Sequence, residues 1–343
     1  MSPQQFSNKM IFVVGNSRSG TTMLGRMLGR NSKVYKFPEL HLFGPCISHG
    51  KEFEPLTKEE CTSAFTWLLD VAERKLHATR EPEKFKEEAR QLTQIHFHPG
   101  IHAWELYYHF VLYEVRKRGK EIPSEDLPGN IFKIDQILSV FPFAKIVHIV
   151  RDPRDVLLSQ KNRHQRRKLG GGYVKRQEML RFWANYHPQL ICRLWKNAVA
   201  AGCTPEREKV LTVHFENLIS NPEETLRKIC AHCTINFEDD MLNVPQVGSS
   251  MRKDEPGKTG IDSSRSGSWN KGGLNNAEVE ICENVNGAWM DRLGYKRSGL
   301  KGNTIQRLKL WFLLPLKGTL SLILNWKRTK GKLDYILRRF TKA

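Results

Sequence analysis

The sequence has few cysteines and lacks a leader-like start. Only seven cysteines occur in 343 residues, at irregular spacings, and residues 1–6 show neither the basic nor the apolar region of a signal peptide. These absences predict reduced thiols in a cytoplasmic protein. Cys230 and Cys233 flank His232, but no second cysteine pair with that spacing occurs. Packing thiols are therefore predicted here, and no metal site.

Acidic residues are also in deficit. The chain has 36 Asp and Glu against 55 Lys and Arg, which gives a net charge of +19 and a pI near 9.7. Residues 301–343 contain eleven of the basic residues and one acid, so over half of the excess lies in that segment. The rest is moderately basic, which suits an enzyme for anionic nucleotides and predicts no nucleic-acid partner.

No internal repeat is present, and apolar runs alternate with amphipathic stretches. This alternation predicts an α/β fold of three layers, P-loop-like, with a central and mostly parallel sheet flanked by helices. Residues 1–298 are assigned to this domain, with a helical insert over 51–125. Residues 299–343 are assigned to a basic amphipathic helical tail.

A phosphate-loop motif lacks its lysine. Residues 10–14 form a short apolar run, and residues 15–22 then match G-x-x-x-x-G-K-[ST], except that Thr21 occupies the lysine position. Amides at the start of the following helix are predicted to bind an anion, with Arg18 supplying positive charge. Because the lysine that neutralises a γ-phosphate is missing, the motif indicates a nucleotide with a smaller anionic head and no metal.

A second strand-to-helix junction follows much later in the chain. Residues 145–150 predict a buried strand, Asp152 is a suitable N-cap, and Pro153 suits the first helical position. Arg151 then lies at the carboxyl end of the strand, and Ser159 lies two turns into the helix. The pair is a candidate clamp for a terminal phosphate, so the two junctions suit a ligand with phosphate at both ends.

These segments resemble the sulfotransferases that use 3'-phosphoadenosine-5'-phosphosulfate (PAPS), especially bacterial-type members related to the protein-tyrosine and carbohydrate sulfotransferases. In that family R/K-S-G-T-T binds the 5'-phosphosulfate, and R-D-P-R-D-x-x-x-S binds the 3'-phosphate. The resemblance implies PAPS as donor substrate, no metal, and a hydroxyl or amine acceptor that the sequence does not identify. It implies that the following residues bind the nucleotide: Arg18, Ser19, Gly20, Thr21, Thr22, Arg151, Ser159, Arg265 and Trp269.

Two later segments extend the resemblance. Residues 210–222 follow the family order V-x-Y-E-D-L-x-x-x-P as a strand and helix, and residues 265–269 match a loop, R-x-G-x-W, that closes over the nucleotide. Trp269 suits either the nucleotide or the core. A helix is also predicted over 174–201, with its apolar face in the core, and another over 277–295.

Glu39 is the predicted catalytic base. It follows a predicted strand at 34–38, where the family places an acidic residue that deprotonates the acceptor, and Arg18 is the predicted catalytic cation. Burial is expected to raise the pKa of Glu39 toward the working pH. A solvated glutamate in a turn is the alternative, and His41 is a weaker candidate for the same role.

The chain departs from the family at the K-T-P segment, whose lysine contacts the transferring group. Asp126, Leu127 and Pro128 stand there, which leaves Arg18 as the best-supported cation and Lys133 as a further candidate. Residues 131–134 are predicted to form a strand that leads into a helix. The insert over 51–125 is predicted to lie on the acceptor side of the site.

The basic tail has two open interpretations. Lys309, Pro315 and Lys317 are expected to interrupt every apolar window of membrane-spanning length. The mixture of Lys, Arg, Trp and apolar residues suits a helix lying peripherally on an anionic membrane surface. It equally suits a tail packed on its own domain or on a partner subunit, and the oligomeric state stays open.

Two other functions compete with sulfuryl transfer. A P-loop small-molecule kinase or NTPase would need a lysine and a Mg²⁺ ligand; Asp152 or Asp155 could serve as the ligand, but Thr21 removes the lysine. A non-catalytic nucleotide-binding protein at a membrane surface would not need Glu39. The acceptor class, whether carbohydrate, lipid, peptide or small molecule, does not follow from the donor site.

Overall fold

The computed structural model describes residues 9–43, 46–48, 50–74, 81–170, 174–203 and 209–329. Residues 330–343 of the predicted tail lie outside these ranges. The strands are β1 Ile11–Gly15, β2 Val34–Lys36, β3 Ile122–Glu125, β4 Lys145–Val150, β5 Val210–His214, β6 Pro245–Gln246 and β7 Glu255–Thr259. The helices are α1 Thr21–Leu28, α2 Lys58–Arg74, α3 Lys86–His96, α4 Ala103–Lys117, α5 Ile134–Val140, α6 Pro153–Lys161, α7 Arg176–Ala184, α8 Pro188–Gly202, α9 Phe215–Ser220, α10 Pro222–Cys233, α11 Asn276–Arg292 and α12 Thr304–Thr329.

Five strands form one parallel sheet in the order β2-β3-β1-β4-β5. In its centre β1 and β4 pair from Ile11 opposite Lys145 to Gly15 opposite Ile149. Every residue of β1 is buried, as expected of a parallel strand covered on both faces. The predicted parallel sheet is confirmed, whereas the antiparallel ribbon of β6 and β7 was not predicted.

Helices cover both faces of the sheet because successive side chains of a strand point to opposite sides. Phe12 and Val14 pack in a core with residues of α2 to α5, and Ile11 and Val13 pack in a second core with residues of α1, α9 and α10. The predicted three-layer α/β architecture is therefore confirmed.

Two predicted elements differ from the structure. The strand expected at 131–134 lies earlier, as β3, and residues Pro128–Lys133 form a 3₁₀ turn that leads into α5. The single helix expected over 174–201 is divided into α7 and α8. The break occurs because Pro188 starts a new helix, and the side chain of His187 caps it by accepting from the amide of Gln189.

The prediction that no stretch of the tail could cross a membrane is wrong. Within α12, the segment Thr304–Trp326 is long and apolar enough to do so by length and composition, with a mean hydropathy of 1.2. The reason is that Leu310 to Trp326 contain one charged side chain, Lys317, and Pro315 is accommodated inside the helix.

Candidate active site

A cavity of about 740 Å³ opens at the carboxyl edge of the parallel sheet. Each of the five strands contributes a lining residue from the segment that follows it: Ser17, Glu39, Pro128, Arg151 and Phe215 for β1 to β5 in chain order. Open parallel sheets bind their ligands at this edge. The sheet therefore brings segments together that are up to about two hundred residues apart in sequence.

Most of the predicted site residues meet in this cavity. Eight of them line it: Arg18, Gly20, Thr21, Thr22, Glu39, Arg151, Ser159 and Arg265. Ser19 is fully buried beneath the loop, and its hydroxyl has no hydrogen-bond partner among the described residues. Trp269 is buried and does not line the cavity, so its contact with the nucleotide stays a prediction.

The loop between β1 and α1 is shaped by two glycines. Gly15 lies against β4, where a Cβ would come within 2.5 Å of the Ile149 carbonyl oxygen. Gly20 has φ 105° and caps α1 without any side-chain hydrogen bond, so amides of the first helical turn stay available for an anion. Between them Arg18 adopts φ 76°, a left-handed conformation that is uncommon for a residue with a Cβ.

The guanidinium of Arg18 joins three parts of the site. Its Nε donates to Ser159 Oγ at 3.0 Å, and its Nη2 donates to Ser250 Oγ at 2.8 Å and to the Gly248 carbonyl at 3.1 Å. Ser159 belongs to the second predicted phosphate segment, so the two halves of the predicted site are directly bonded. Sequence reasoning assigned Arg18 and Ser159 to opposite ends of the nucleotide and missed this contact.

Arg151 contacts both the phosphate loop and the loop that carries Arg265. Its guanidinium lies 4.4 Å from the ring centroid of Phe215, and it donates to the Arg265 carbonyl at 2.6 Å and the Arg18 carbonyl at 3.4 Å. Asp155 approaches it at 3.5 Å. The buried Nε atoms of Arg151 and Arg265 have no hydrogen-bond partner among the described residues. Arg265 Nε faces the Asp262 carboxylate only at the longer distance of 3.6 Å, so both donors are available to a bound anion.

Partial burial also affects the guanidinium of Arg265. Removal from water lowers the pKa of its guanidinium, and the nearby carboxylate of Asp262 opposes that shift only in part. A cation that has lost solvent and is incompletely paired gains more from a bound phosphate than an exposed one would. Arg265 is therefore well suited to bind an anionic ligand, although the serine-rich sequence around it does not indicate this.

Hydrogen bonds from its backbone attach the loop that carries Arg265 to α6. Asp155 accepts hydrogen bonds from the amides of Gly267 and Trp269, both at 2.9 Å. The indole of Trp269 stacks under the guanidinium of Arg154, 3.8 Å from the ring centroid. Arg154 in turn pairs with Asp152 and Glu283 at 2.7 and 2.8 Å. The R-D-P-R-D segment thus supplies one arginine to the cavity and a second to the support of the loop.

Glu39 lines the cavity, but the expected rise in its pKa is wrong. Burial favours the neutral acid, yet a hydrogen bond with His41 at 2.9 Å and the positive charges of Lys36 and Arg163 outweigh it. The pKa of Glu39 is therefore lowered from its usual value. The carboxylate is ionised and ready to accept a proton at neutral pH, although it is a weaker base than predicted.

The lysine candidate Lys133 does not reach the site. Its ammonium pairs with Glu52 at 2.6 Å, both side chains are buried, and the cation lies over the rings of Phe43 and Trp104. At the position of the family K-T-P segment, the buried Asp126 carboxylate pairs instead with Lys36 at 2.9 Å. Lys36 is the last residue of β2, and its positive charge is close enough to Glu39 to lower the pKa of that carboxyl.

Several cations of the cavity escaped sequence analysis. Nine basic side chains line it against three acidic ones, Glu39, Glu178 and Asp262. The cations not assigned beforehand are Arg26, Arg163, Arg166, Lys175, Arg181 and Arg252. The basic run 161–168 gave a signal for two of them, whereas Arg252 lies in an irregular segment without any motif. The helical insert 51–125 contributes no lining residue among those described, so its acceptor-side role stays a prediction.

Within the described ranges, no group of three or more His, Cys, Asp and Glu side chains is placed to hold a metal ion. Cys230 and Cys233 are buried in the core with free thiols.

A phosphate loop at the carboxyl edge of a parallel sheet, beside a second arginine-bearing junction, defines an α/β protein with a P-loop-like fold. A family model described as the sulfotransferase family matches residues 10–239, about two thirds of the chain. The chain belongs to the sulfotransferase family.

Individual relatives are distant. An uncharacterised protein of Aquifex aeolicus is 25% identical over 239 residues, which are 69% of this chain and 27% of that protein, so the match spans about a quarter of its length. A sulfotransferase domain from the curacin biosynthetic pathway is 20% identical, with 84% of this chain and 98% of that chain covered and a TM-score of 0.49. A retinol dehydratase solved with androsterone and the inactive cofactor PAP is 14% identical, with 83% and 81% covered and a TM-score of 0.39.

Proposed function

We propose that this protein transfers the sulfuryl group of PAPS to a hydroxyl of an acceptor molecule. The observation that carries the proposal is that one cavity contains both predicted anion sites and an ionised carboxylate. Arg18, Arg151 and Arg265 line this cavity beside the start of α1, and Glu39 lines the same space. Membership of the sulfotransferase family supports the reaction class.

The donor would bind through amides, hydroxyls and guanidinium groups that line the cavity. Amides of the first turn of α1, with the hydroxyls of Thr21 and Thr22, suit the 5'-phosphosulfate. The Nε donor of Arg151, which has no hydrogen-bond partner among the described residues, and the guanidinium of Arg265, which faces Asp262 at 3.6 Å, suit the 3'-phosphate. The excess of six basic side chains in the cavity balances a multiply charged nucleotide and raises its rate of capture.

In the reaction, Glu39 takes the proton of the acceptor hydroxyl as the acceptor oxygen forms a bond to sulfur. The bond between sulfur and the bridging oxygen of the 5'-phosphate breaks, and that oxygen keeps the electron pair. Arg18 would stabilise the negative charge that develops on the transferring group and the leaving phosphate. Most of the rate enhancement would come from positioning and charge stabilisation.

The test compares the melting temperature of the protein with 3',5'-adenosine bisphosphate and with ATP plus Mg²⁺, since a ligand of the native state raises stability. We expect a clear rise with the bisphosphate. A rise with ATP and Mg²⁺ alone would favour a kinase or NTPase and refute the proposal. Incubation with radiolabelled PAPS and cell extracts then tests turnover: bisphosphate binding without any labelled product would identify a non-catalytic nucleotide-binding protein.

A further inference from the structure

Helix α12 exposes an apolar surface. Eight large apolar side chains along it are each at least half exposed: Ile305, Leu308, Trp311, Phe312, Leu316, Leu322, Ile323 and Trp326. At about 100° per residue, all eight fall within an arc of roughly 140° and so share one side of the helix. Large contiguous apolar patches are rare on soluble monomers and mark interaction surfaces. We call these eight residues the outer face of α12.

The opposite side of α12 carries polar groups that bond the protein body. Lys317 Nζ donates to the Tyr186 carbonyl at 3.0 Å, and Ser321 Oγ is hydrogen-bonded to Asn185 Oδ1 at 2.7 Å. Arg181 donates to the Leu324 carbonyl at 3.1 Å. A helix on a water-exposed surface has polar groups on its outer side, while its apolar groups face the body. The body-facing side of α12 includes the buried Leu310 as well as these polar groups, but the outer face is apolar too. An apolar outer face indicates contact with an apolar phase.

A helix lying in the membrane plane fits these contacts better than one that crosses it. At 1.5 Å per residue, α12 is about 39 Å long, enough to span a bilayer. A crossing would, however, break the bonds of Lys317 and Ser321 with the body and place both in hydrocarbon, which is costly. An in-plane helix keeps them bonded and buries only the outer face. The tryptophans at Trp311 and Trp326 suit the headgroup level.

Charge identifies the kind of membrane. Residues 301–343 contain eleven Lys and Arg and one acid, Asp334. Lys309 lies on α12 itself and is exposed. Each basic side chain close to an anionic surface adds to binding, and a segment of this net charge is attracted to such a surface. A second copy of the chain would carry the same positive charge and be repelled, so an anionic bilayer is the complementary partner.

We propose that α12 docks the protein in the plane of an anionic lipid bilayer, with its outer face at the boundary between headgroups and acyl chains. The active-site cavity would then lie close to the surface, because α7 packs against α12 and also lines the cavity through Arg181 and Phe182. Resting on the proposed function, this arrangement predicts an acceptor hydroxyl presented at the membrane surface.

The test is sedimentation of the full chain with vesicles. Phosphatidylglycerol–phosphatidylcholine vesicles should bind it, phosphatidylcholine vesicles should bind it more weakly, and salt should weaken the binding through screening. The double substitution Phe312→Ser with Ile323→Ser should lower partitioning on the order of a hundredfold, since each side chain loses its apolar burial. Ile95→Ser is the matched control, because Ile95 on α3 is 70% exposed and Ile323 is 71% exposed. Correct folding of each variant is checked first: 3',5'-adenosine bisphosphate should stabilise it as much as it stabilises the wild type. If the wild type does not bind the bisphosphate, equal circular dichroism spectra serve as the check.

Three results would overturn the proposal. One is equal sedimentation of the double variant and the wild type. Another is retention in the membrane after alkaline carbonate treatment, which would mean that α12 crosses the bilayer. The third is a vesicle-free dimer that the double substitution dissociates, which would assign the outer face to a second copy. Transfer of label from PAPS is scored separately: bound vesicles without labelled lipid would refute a membrane acceptor and leave docking intact.

Discussion

Removal of the Arg151 guanidinium should abolish most of the stabilisation by 3',5'-adenosine bisphosphate. In Arg151→Ala the cavity loses a cation whose Nε has no acceptor among the described residues and is therefore available for the 3'-phosphate. A hydrogen bond to a charged group contributes about 1.5–3 kcal/mol. Binding should weaken roughly ten- to a hundredfold, since each 1.4 kcal/mol is about a factor of ten.

The assay follows from that magnitude. At a ligand concentration a hundred times the dissociation constant, the wild type gains about 2.7 kcal/mol of stability. A thirtyfold loss of affinity lowers this gain to about 0.9 kcal/mol at the same concentration. Chemical denaturation with and without the bisphosphate measures both gains. The variant is also expected to be less stable without ligand, because Arg151 donates to the Arg18 and Arg265 carbonyls, so only the difference with ligand is informative.

Arg227→Ala is the matched control. Arg227 also stacks on an aromatic ring, 4.2 Å from the centroid of Phe237, and pairs with Glu223, but it does not line the cavity. The control should keep the full bisphosphate effect. If Arg151→Ala keeps it as well, the 3'-phosphate does not bind at Arg151 and the assigned direction of the nucleotide is wrong.

Three further predictions concern the base Glu39 and the support of the loop that carries Arg265. Glu39→Gln should lower sulfuryl transfer by roughly a hundred- to ten-thousandfold, with unchanged bisphosphate binding in the denaturation assay; an active variant would exclude Glu39 as the base. Because the contact with His41 lowers the pKa of Glu39, His41→Ala should move the acidic limb of the pH–rate profile to higher pH, and an unmoved limb would show that another group titrates there. Arg154→Ala leaves buried carboxylates unpaired and should cost about 3–5 kcal/mol in denaturation, whereas Arg297→Ala, which removes an exposed ion pair, should cost far less; equal costs would contradict the buried network.

The sequence predicts the parts of the site whose signals are local. Residues 145–161 form the expected strand and helix, with Pro153 in the first helical position and Asp152 accepting a hydrogen bond from the Arg154 amide. The apolar run of β1 and the glycines of its loop predict a buried strand and an anion-binding turn. These features depend on residues within one turn or one strand of each other, so a single sequence is sufficient.

Strand β3 shows why other elements could not be predicted. It has the sequence Ile-Pro-Ser-Glu and lies between β1 and β2, although Pro and Glu are unusual in an interior strand. Glu125 is tolerated there because Tyr107 and Asn130 donate to its carboxylate at 2.8 and 3.0 Å. Its burial raises the pKa of Glu125 against those hydrogen bonds. A polar strand supported by a helix and a turn gives no apolar pattern of its own.

The cation that replaces the missing lysine of the phosphate loop also depends on residues that are distant in the sequence. Thr21 is buried at the start of α1, and positive charge comes from Arg18, three residues earlier. Arg18 is oriented by Ser159 and Ser250, which lie 141 and 232 residues away in the sequence. A loop motif can therefore predict the cation but not its direction. It follows that the Arg18 guanidinium is held in this orientation only when the segment 248–250 lies over the loop. Substitutions of Ser250 should therefore affect donor binding, although no motif contains this residue.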